Sequence, residues 1–265
     1  MAADPAEVDR TYPRLTRAEI VVDGDTVVKV HRAGTDPQAL AVRLRIAARL
    51  GDCLLAPLDT EPRPVGRRWS TRWPLVDTVA QRPDGLPWAD AARLLARLHM
   101  APHREVVPHG GAARTARAIR RLPASAPPVI GRAAAALPER ARQPGAPDRP
   151  STLVHGDFHL GQLGRPADGR WRLLDVDDLG VGDPAWDLAR PAGFWAAGLI
   201  PDDDWATFLS GYRRAGGPAV PASDDPWPVL EPLARAAVVQ AAAAGAHAGP
   251  DETQAELLAA CARMV

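Results

Sequence analysis

Leu153–Ala189 read LVHGDFHLGQLGRPADGRWRLLDVDDLGVGDPAWDLA. An apolar strand pattern runs into His155-Gly156-Asp157, a turn from which the backbone can aim a carboxylate into a cleft. Gln162 follows, then a turn at Ala167-Asp168-Gly169, then Asp175, which lies 13 residues beyond Gln162. A hairpin of that length returns Asp175 to the edge that carries Gln162, so a carboxylate and an amide oxygen can share one cation. Asp177 has the same strand parity as Asp175, which places it for the same metal or for substrate; Asp178 points the other way and reads as a surface residue. Asp183 and Asp187 read as braces of the turn, accepting backbone N–H bonds, and His155 as a ring that holds the turn in shape. His159 reads as a satisfied turn histidine and Trp186 as core.

This order meets the demands of phosphoryl transfer: one carboxylate accepts a hydroxyl proton, and oxygen ligands hold Mg2+ against a triphosphate. On these residues the segment resembles the aminoglycoside phosphotransferase family, small-molecule kinases with a protein-kinase-like fold. HGDFHLGQ at 155–162 is similar to the HGDxHLGQ loop of maltokinases and actinobacterial glucosamine kinases. The resemblance implies an α+β, bilobal chain. A small β-rich nucleotide-binding lobe would span 1–76, and a larger, mostly helical catalytic and acceptor-binding lobe 77–265. It implies ATP and Mg2+ as cofactors, Asp157 as the catalytic carboxylate, and Gln162, Asp175 and Asp177 at the metal. Lys29, with Trp73, Leu75 and Val76 at a hinge near 73–77, would take the nucleotide.

Three positions depart from that pattern. The family's Asn is here Gln162, one methylene longer, so backbone or metal must shift by roughly an ångström to keep Mg2+–oxygen distances near 2.0–2.1 Å. No glycine-rich loop precedes Asp23-Gly24. The helix expected after Lys29 contains no acid to pair with it, but carries Arg43 and Arg45, which could instead reach phosphates.

Lys29 draws attention on composition alone. The 265 residues include 32 Lys and Arg, of which Lys29 is the single lysine, and there is no Asn. Where lysines have otherwise given way to arginine, a surviving ammonium marks a place where a planar fork does not fit. Residues 1–150 hold 24 basic and 16 acidic side chains, and residues 151–265 hold 8 and 16. A basic first half suits nucleotide phosphates; an acidic second half suits a metal and a cationic acceptor. Cys53 and Cys261 form no ligand pattern and predict neither disulfide nor zinc site. The polar start MAADPAEVDR excludes a secretory leader, and no run approaches the ~20 apolar residues of a membrane span, so a cytoplasmic protein is expected.

Elsewhere the pattern predicts a β hairpin over 17–31, a helix over 37–50, strands around 53–58 and 68–76, and a helix opened by Pro83-Asp84-Gly85. Two helices should fill 112–143. A strand at 152–154 and the 162–175 hairpin follow, then helices over 189–198, 203–215, 226–246 and 251–264. Asp202-Asp203-Asp204 would open one of these through the helix dipole; these acids, Asp224-Asp225 and Glu231 could alternatively bind ammonium groups. Trp195, Trp205 and Trp227 read as sugar-stacking platforms or core.

The expected reaction is transfer of the γ-phosphoryl group of ATP to a hydroxyl of a sugar, amino sugar or aminoglycoside-like molecule, by a monomer or homodimer without nucleic-acid or membrane partners. Aminoglycoside resistance and a non-catalytic nucleotide-binding pseudokinase remain as alternatives. A protein kinase does not: only 11 residues separate Asp175 from Asp187, too few for an activation loop and peptide platform.

Overall fold

Two β-branched runs, EIVVD and TVVKV, form strands β1 (Glu19–Asp23) and β2 (Thr26–Val30), paired antiparallel with Asp23 opposite Thr26. That register leaves a two-residue turn whose first residue, Gly24, has φ 56°, a backbone that glycine adopts without steric cost. The computed structural model describes residues 18–79, 85–104, 107–247 and 251–265. The acidic start of the chain and the Pro83-Asp84 turn signal lie outside these residues.

β2 also pairs with β4 (Arg68–Pro74), and β3 (Arg63–Val65) completes an antiparallel sheet of order β1-β2-β4-β3. Between β2 and β3 runs α1 (Pro37–Arg49). Asp36 caps it by accepting the Gln38 N–H at 2.9 Å, and Pro37 fills the first turn, where a missing N–H costs nothing. The strand expected over 53–58 is instead a single bridge, Leu54 to Leu173, because Pro57 has no N–H with which to continue a ladder.

β5 (Asp77–Thr78) leaves the first sheet and pairs with β7 (Leu163–Arg165), which pairs with β8 (Arg172–Leu173). The chain between β5 and β7 supplies α2 (Trp88–Met100), α3 (Gly111–Arg120), α4 (Pro128–Ala135) and β6 (Thr152–Val154). β6 pairs with β9 (Gly180–Gly182), so the 153–189 segment is stitched at both ends. After it come α5 (Ala185–Ala196), α6 (Asp202–Arg214), α7 (Trp227–Gly245) and α8 (Glu252–Ala262). α5 begins four residues before the sequence suggests, right after Pro184. Asp187 therefore lies in its first turn, where the dipole favours a carboxylate.

The core joins these helices beneath the two small sheets. Leu95 and Leu98 of α2, Leu188 of α5, Phe208 of α6 and Val239 of α7 are fully buried, each contributing about 1.5–3 kcal/mol of transfer free energy. Helices α5 and α7 cross where Gly193 sits; a Cβ there would stand 2.7 Å from Ala234 O. The tryptophans belong to this packing: Trp195 stacks on Trp205 at 5.4 Å and meets Trp227 edge-on at 6.0 Å. Cys53 and Cys261 are free and buried. Among the described residues no helix is long and apolar enough to cross a membrane.

Candidate active site

The catalytic turn hangs from β6. Gly156 takes φ 84°, and a Cβ there would stand 2.4 Å from Asp178 O, so only glycine lets the turn close on the 176–178 segment. Asp187 anchors the turn from below: its carboxylate accepts the His155 N–H at 2.7 Å and the Gly156 N–H at 2.8 Å. The same carboxylate meets His99 Nε2 at 2.9 Å, and His99 Nδ1 lies 2.6 Å from Tyr212 Oη. With the His99 proton on Nε2, Tyr212 donates to Nδ1 and accepts the Ala219 N–H, and every buried group is satisfied. Burial opposes the Asp187 charge, but the His99 bond, the nearby His155 and the Gly156 N–H together outweigh it and hold the carboxyl below its usual range. His155 donates from Nε2 to Leu174 O at 2.6 Å, tying the turn to β8. Asp183 also braces: it accepts the Ala185 N–H, Arg140 and Arg149.

Asp157 projects from this turn between two arginines. Arg114 of α3 lies 2.9 Å from its Oδ2, and Arg190 of α5 lies 3.7 Å from its Oδ1. Burial pushes the Asp157 carboxyl up, and the two guanidinium groups oppose that shift. Arg114 also grips Asp178 through Nε and Nη2. Asp178 is therefore 4 % exposed, a buried partner of Arg114 instead of the surface residue that strand parity implied. Parity fails because 176–178 form a 3-10 turn, not a strand. His159 is neutral near pH 7, since burial, with Arg190 and His155 nearby, pushes its ring down to about 3.

Asp175 is the single non-glycine residue with positive φ among those described, at φ 54° and ψ 84°. A non-glycine residue in this region is held there by its surroundings and is a frequent mark of functional sites. The β7–β8 hairpin closes with the Leu174 N–H on Gln162 O at 2.8 Å, so Asp175 lies one residue from the backbone of Gln162. The Gln162 amide makes no side-chain hydrogen bond among the described residues.

Lys29 reaches this segment from β2. Its Nζ lies 2.6 Å from Asp175 Oδ1 and 3.0 Å from Asp177 Oδ2. These acids stand in for the helix glutamate that α1 lacks. Burial penalises the ammonium, and the two carboxylates more than compensate, raising its pKa. His31, two residues on and facing the same side, places Nδ1 3.1 Å from Asp177 Oδ1, close but off hydrogen-bond alignment. Burial works against the Asp177 charge, yet His31 and Lys29 hold its carboxyl well below the usual range. His31 Nε2 in turn lies 2.9 Å from Thr71 Oγ1.

The arginines of α1 do not gather as a phosphate cradle. Arg43 donates from Nε to Leu179 O at 2.7 Å, fastening α1 to the 175–179 segment, and Arg45 pairs with Glu61 at the surface. A cleft of about 520 Å3 opens beside Arg32, Thr35, Arg43 and Asp177. At the hinge, the Trp73 indole N–H is spent on Thr71 Oγ1, and the Leu75 N–H on Asp25 O. Neither is available to a base; Val76 packs over Gly164.

The structure thus brings Lys29, Asp157, Gln162, Asp175 and Asp177 into one neighbourhood. The sequence alone did not single out Arg114, Arg190 or His31. Among 31 arginines no spacing marks the first two, whereas His31, on the Lys29 face of β2, was legible from strand alternation.

No cluster of three or more His, Cys, Asp or Glu side chains suited to a metal occurs among the described residues. Mg2+ in a nucleotide site needs fewer, because it keeps waters and takes phosphate oxygens, so one carboxylate and one amide oxygen fit it.

A profile of the phosphotransferase enzyme family matches residues 19–233. The choline/ethanolamine kinase family protein of Mesorhizobium loti superposes with TM-score 0.63 at 19% identity, over 99% of this chain and 90% of that one. Amicoumacin kinase hAmiN, solved with AMP-PNP, Ca2+ and amicoumacin, gives 0.61 at 13%, over 93% and 87%. An aminoglycoside-3'-phosphotransferase of type VIII gives 0.58 at 22%, over 88% and 97%. At these identities the likeness is one of fold, the bilobal α+β arrangement that the sequence implied. No curated protein matches the sequence significantly.

Proposed function

Because the chain belongs to the phosphotransferase enzyme family, we propose that it is an ATP- and Mg2+-dependent kinase. It transfers the γ-phosphoryl group to a hydroxyl of a small, polyhydroxylated molecule. The observation that carries this reading is the 2.6 Å contact between Lys29 and Asp175, residues 146 apart in sequence. It joins the phosphate-binding lysine to the metal-binding acid beside Asp157. The nucleotide lies between the part of the chain up to residue 76 and the part from 77 onward, with its base near Val76.

Asp157 accepts the proton of the acceptor hydroxyl as the new O–P bond forms and the bond to the ADP oxygen breaks. Arg114 and Arg190 keep Asp157 charged and aimed, and Asp187 fixes the turn that carries it. Lys29 contacts phosphate oxygens as a compact charge. Asp175 and Gln162 hold the metal, which supplies charge neutralisation along the triphosphate. One Asp177 oxygen faces the Lys29 ammonium and the other the His31 ring, so Asp177 holds the lysine in place and stands beside the metal. Most of the catalysis is positioning and electrostatics, since phosphoryl transfer asks little covalent chemistry of the protein.

Asp157→Asn should lower kcat by ~10²-fold or more while ATP still binds, as removal of a general base does. The test is ADP release across a panel of hydroxyl acceptors, with nucleotide affinity measured alongside. Near-normal turnover in the variant would remove Asp157 from the reaction.

A further inference from the structure

A concavity of about 190 Å3 opens between α5, α7 and the start of α8, lined by Arg190, Phe194, Gln240, Asp251, Thr253 and Gln254. Arg190 connects it to the catalytic turn. The guanidinium lies 5.1 Å from the centre of the Phe194 ring, and Nη1 is 3.7 Å from Asp157 Oδ1. That separation is a charge contact without a hydrogen bond. Nε of Arg190 is buried and has no hydrogen-bond partner among the described residues.

A guanidinium does not release its proton. Burial works against its charge here, and Asp157 only partly offsets that. A partly buried fork with one distant anion is stabilised by a closer one, and its geometry matches a planar oxyanion. Arg114 is less suited to this part, because its Nε and Nη2 already face Asp178 and Asp157.

The remaining lining argues against a cationic ligand. Its one acid, Asp251, caps α8 by accepting the Gln254 N–H at 2.7 Å. Two of the acids that the sequence offered to ammonium groups have partners of their own: Asp202 accepts the Trp195 indole N–H and Asp225 the Trp227 N–H. The volume falls below the ~300 Å3 at which drug-sized sites begin, so the ligand is small. Arg190 already faces the Asp157 carboxylate, so it suits a singly charged carboxylate better than a phosphate monoester carrying about −1.5 to −2.

We propose that the acceptor is a small hydroxy acid whose carboxylate is gripped by Arg190, delivering its hydroxyl to Asp157. This rests on the kinase reading and deepens it. Gln240 and Thr253 supply hydrogen bonds for further hydroxyls, and Phe194 a flat apolar wall. The carboxylate also occupies the second side of Arg190, so acceptor binding and the orientation of the base are joined through one side chain.

The test uses matched acceptors with wild type and Arg190→Gln. Glycerate and gluconate are compared with their amides, with glucosamine and with glycerol 3-phosphate. ADP release gives kcat/KM, and melting temperature with Mg2+ and a non-hydrolysable ATP analogue gives binding. The expected result is a preference for an acid over its amide of about 10- to 100-fold, the worth of a charge-assisted hydrogen bond. The ratio falls to near one in Arg190→Gln, and Arg190→Lys keeps part of it; should the Gln variant fail to fold, the Lys variant supplies the comparison. A preference for the amine or the phosphate ester, or an acid-to-amide ratio that Arg190 variants leave unchanged, overturns the proposal. Release of ADP with amines or neutral sugars alone sinks this inference and leaves the kinase reading standing. An Arg190-dependent thermal shift by hydroxy acids without ADP release does the reverse.

Discussion

Replacing Asp187 tests whether the catalytic turn is held in shape by one buried carboxylate. Its Oδ1 accepts the Gly156 N–H, and its Oδ2 accepts the His155 N–H and the His99 ring. In Asp187→Asn the amide nitrogen must take one of these places. Facing Gly156 is the less costly choice, because it sets a donor against one N–H and leaves two bonds intact. The change then loses one hydrogen bond to a charged group and opposes two donors, a destabilisation of about 3 kcal/mol. Asp187→Ala strands three buried donors and should cost about 3–5 kcal/mol, the range for breaking a buried charged network. At roughly 2–4 °C per kcal/mol for a chain of this size, the Asn variant should melt about 6–12 °C lower. Hydrogen exchange should locate the loss, with protection falling most over 152–158 and little in α8. Asp187 acts through the turn, so kcat should fall with the KM for ATP nearly unchanged. If the melting temperature and exchange of 152–158 stay at wild-type values, the turn is held by something else and the argument fails.

Other consequences follow from the same geometry. Lys29→Arg should lose at least ~10-fold in kcat/KM for ATP although the charge survives, because a planar fork cannot take the compact place between Asp175 and Asp177; unchanged steady-state kinetics would reduce its uniqueness to coding bias. Gln162→Ala should raise the Mg2+ concentration for half-maximal activity by about 10-fold or more while ADP affinity without metal stays constant; an unaltered Mg2+ titration would remove Gln162 from the metal. Acid should destabilise the protein in two ranges. His159 and His109, whose ring lies beside Trp186 with Nε2 2.7 Å from Pro144 O, are kept neutral by burial, with folded pKa values below the usual 6.5. Their contribution is complete above that value and declines as pH falls below it, toward about 3 for His159. Asp187 and Asp177 have folded pKa values below 3.8, so their contribution is lost only as pH falls under that value. Melting temperature against pH should therefore decline from about pH 6.5 and steepen below about 4; a flat profile between pH 6.5 and 4 would contradict the histidine assignment.

What the sequence disclosed, it disclosed through local rules. Turn chemistry at Gly24 and at 167–169 and apolar periodicity in α2 each act over a few residues, and each was readable. The β7–β8 hairpin is the functional case, since its length alone brings Gln162 and Asp175 together. The failures concern distant partners. Asp178 looked exposed because alternation was extended through a 3-10 turn. The partner of Lys29 was sought on the next helix, whereas it lies 146 residues away. Arg114 and Arg190 are ordinary members of an arginine-rich chain until α3 and α5 are packed against the turn. The tryptophans of α5, α6 and α7 cover each other, which pattern alone could not distinguish from an open stacking platform.

The contact of Lys29 with Asp175 and Asp177 has a thermodynamic corollary. On the proposed reading Mg2+ would take Asp175 oxygens and the phosphates Lys29, so either ligand alone would have to break a partly buried ion pair and leave one member without its counter-charge. Arriving together they exchange one set of partners for another, with each freed group taken up at once. Metal and nucleotide would then be linked ligands: each would raise the affinity for the other by the same factor, with a coupling free energy set by the cost of parting lysine from aspartate. On that reading the pairing that assembles the site would also act as a gate, opening to the complex of metal and nucleotide more readily than to either component.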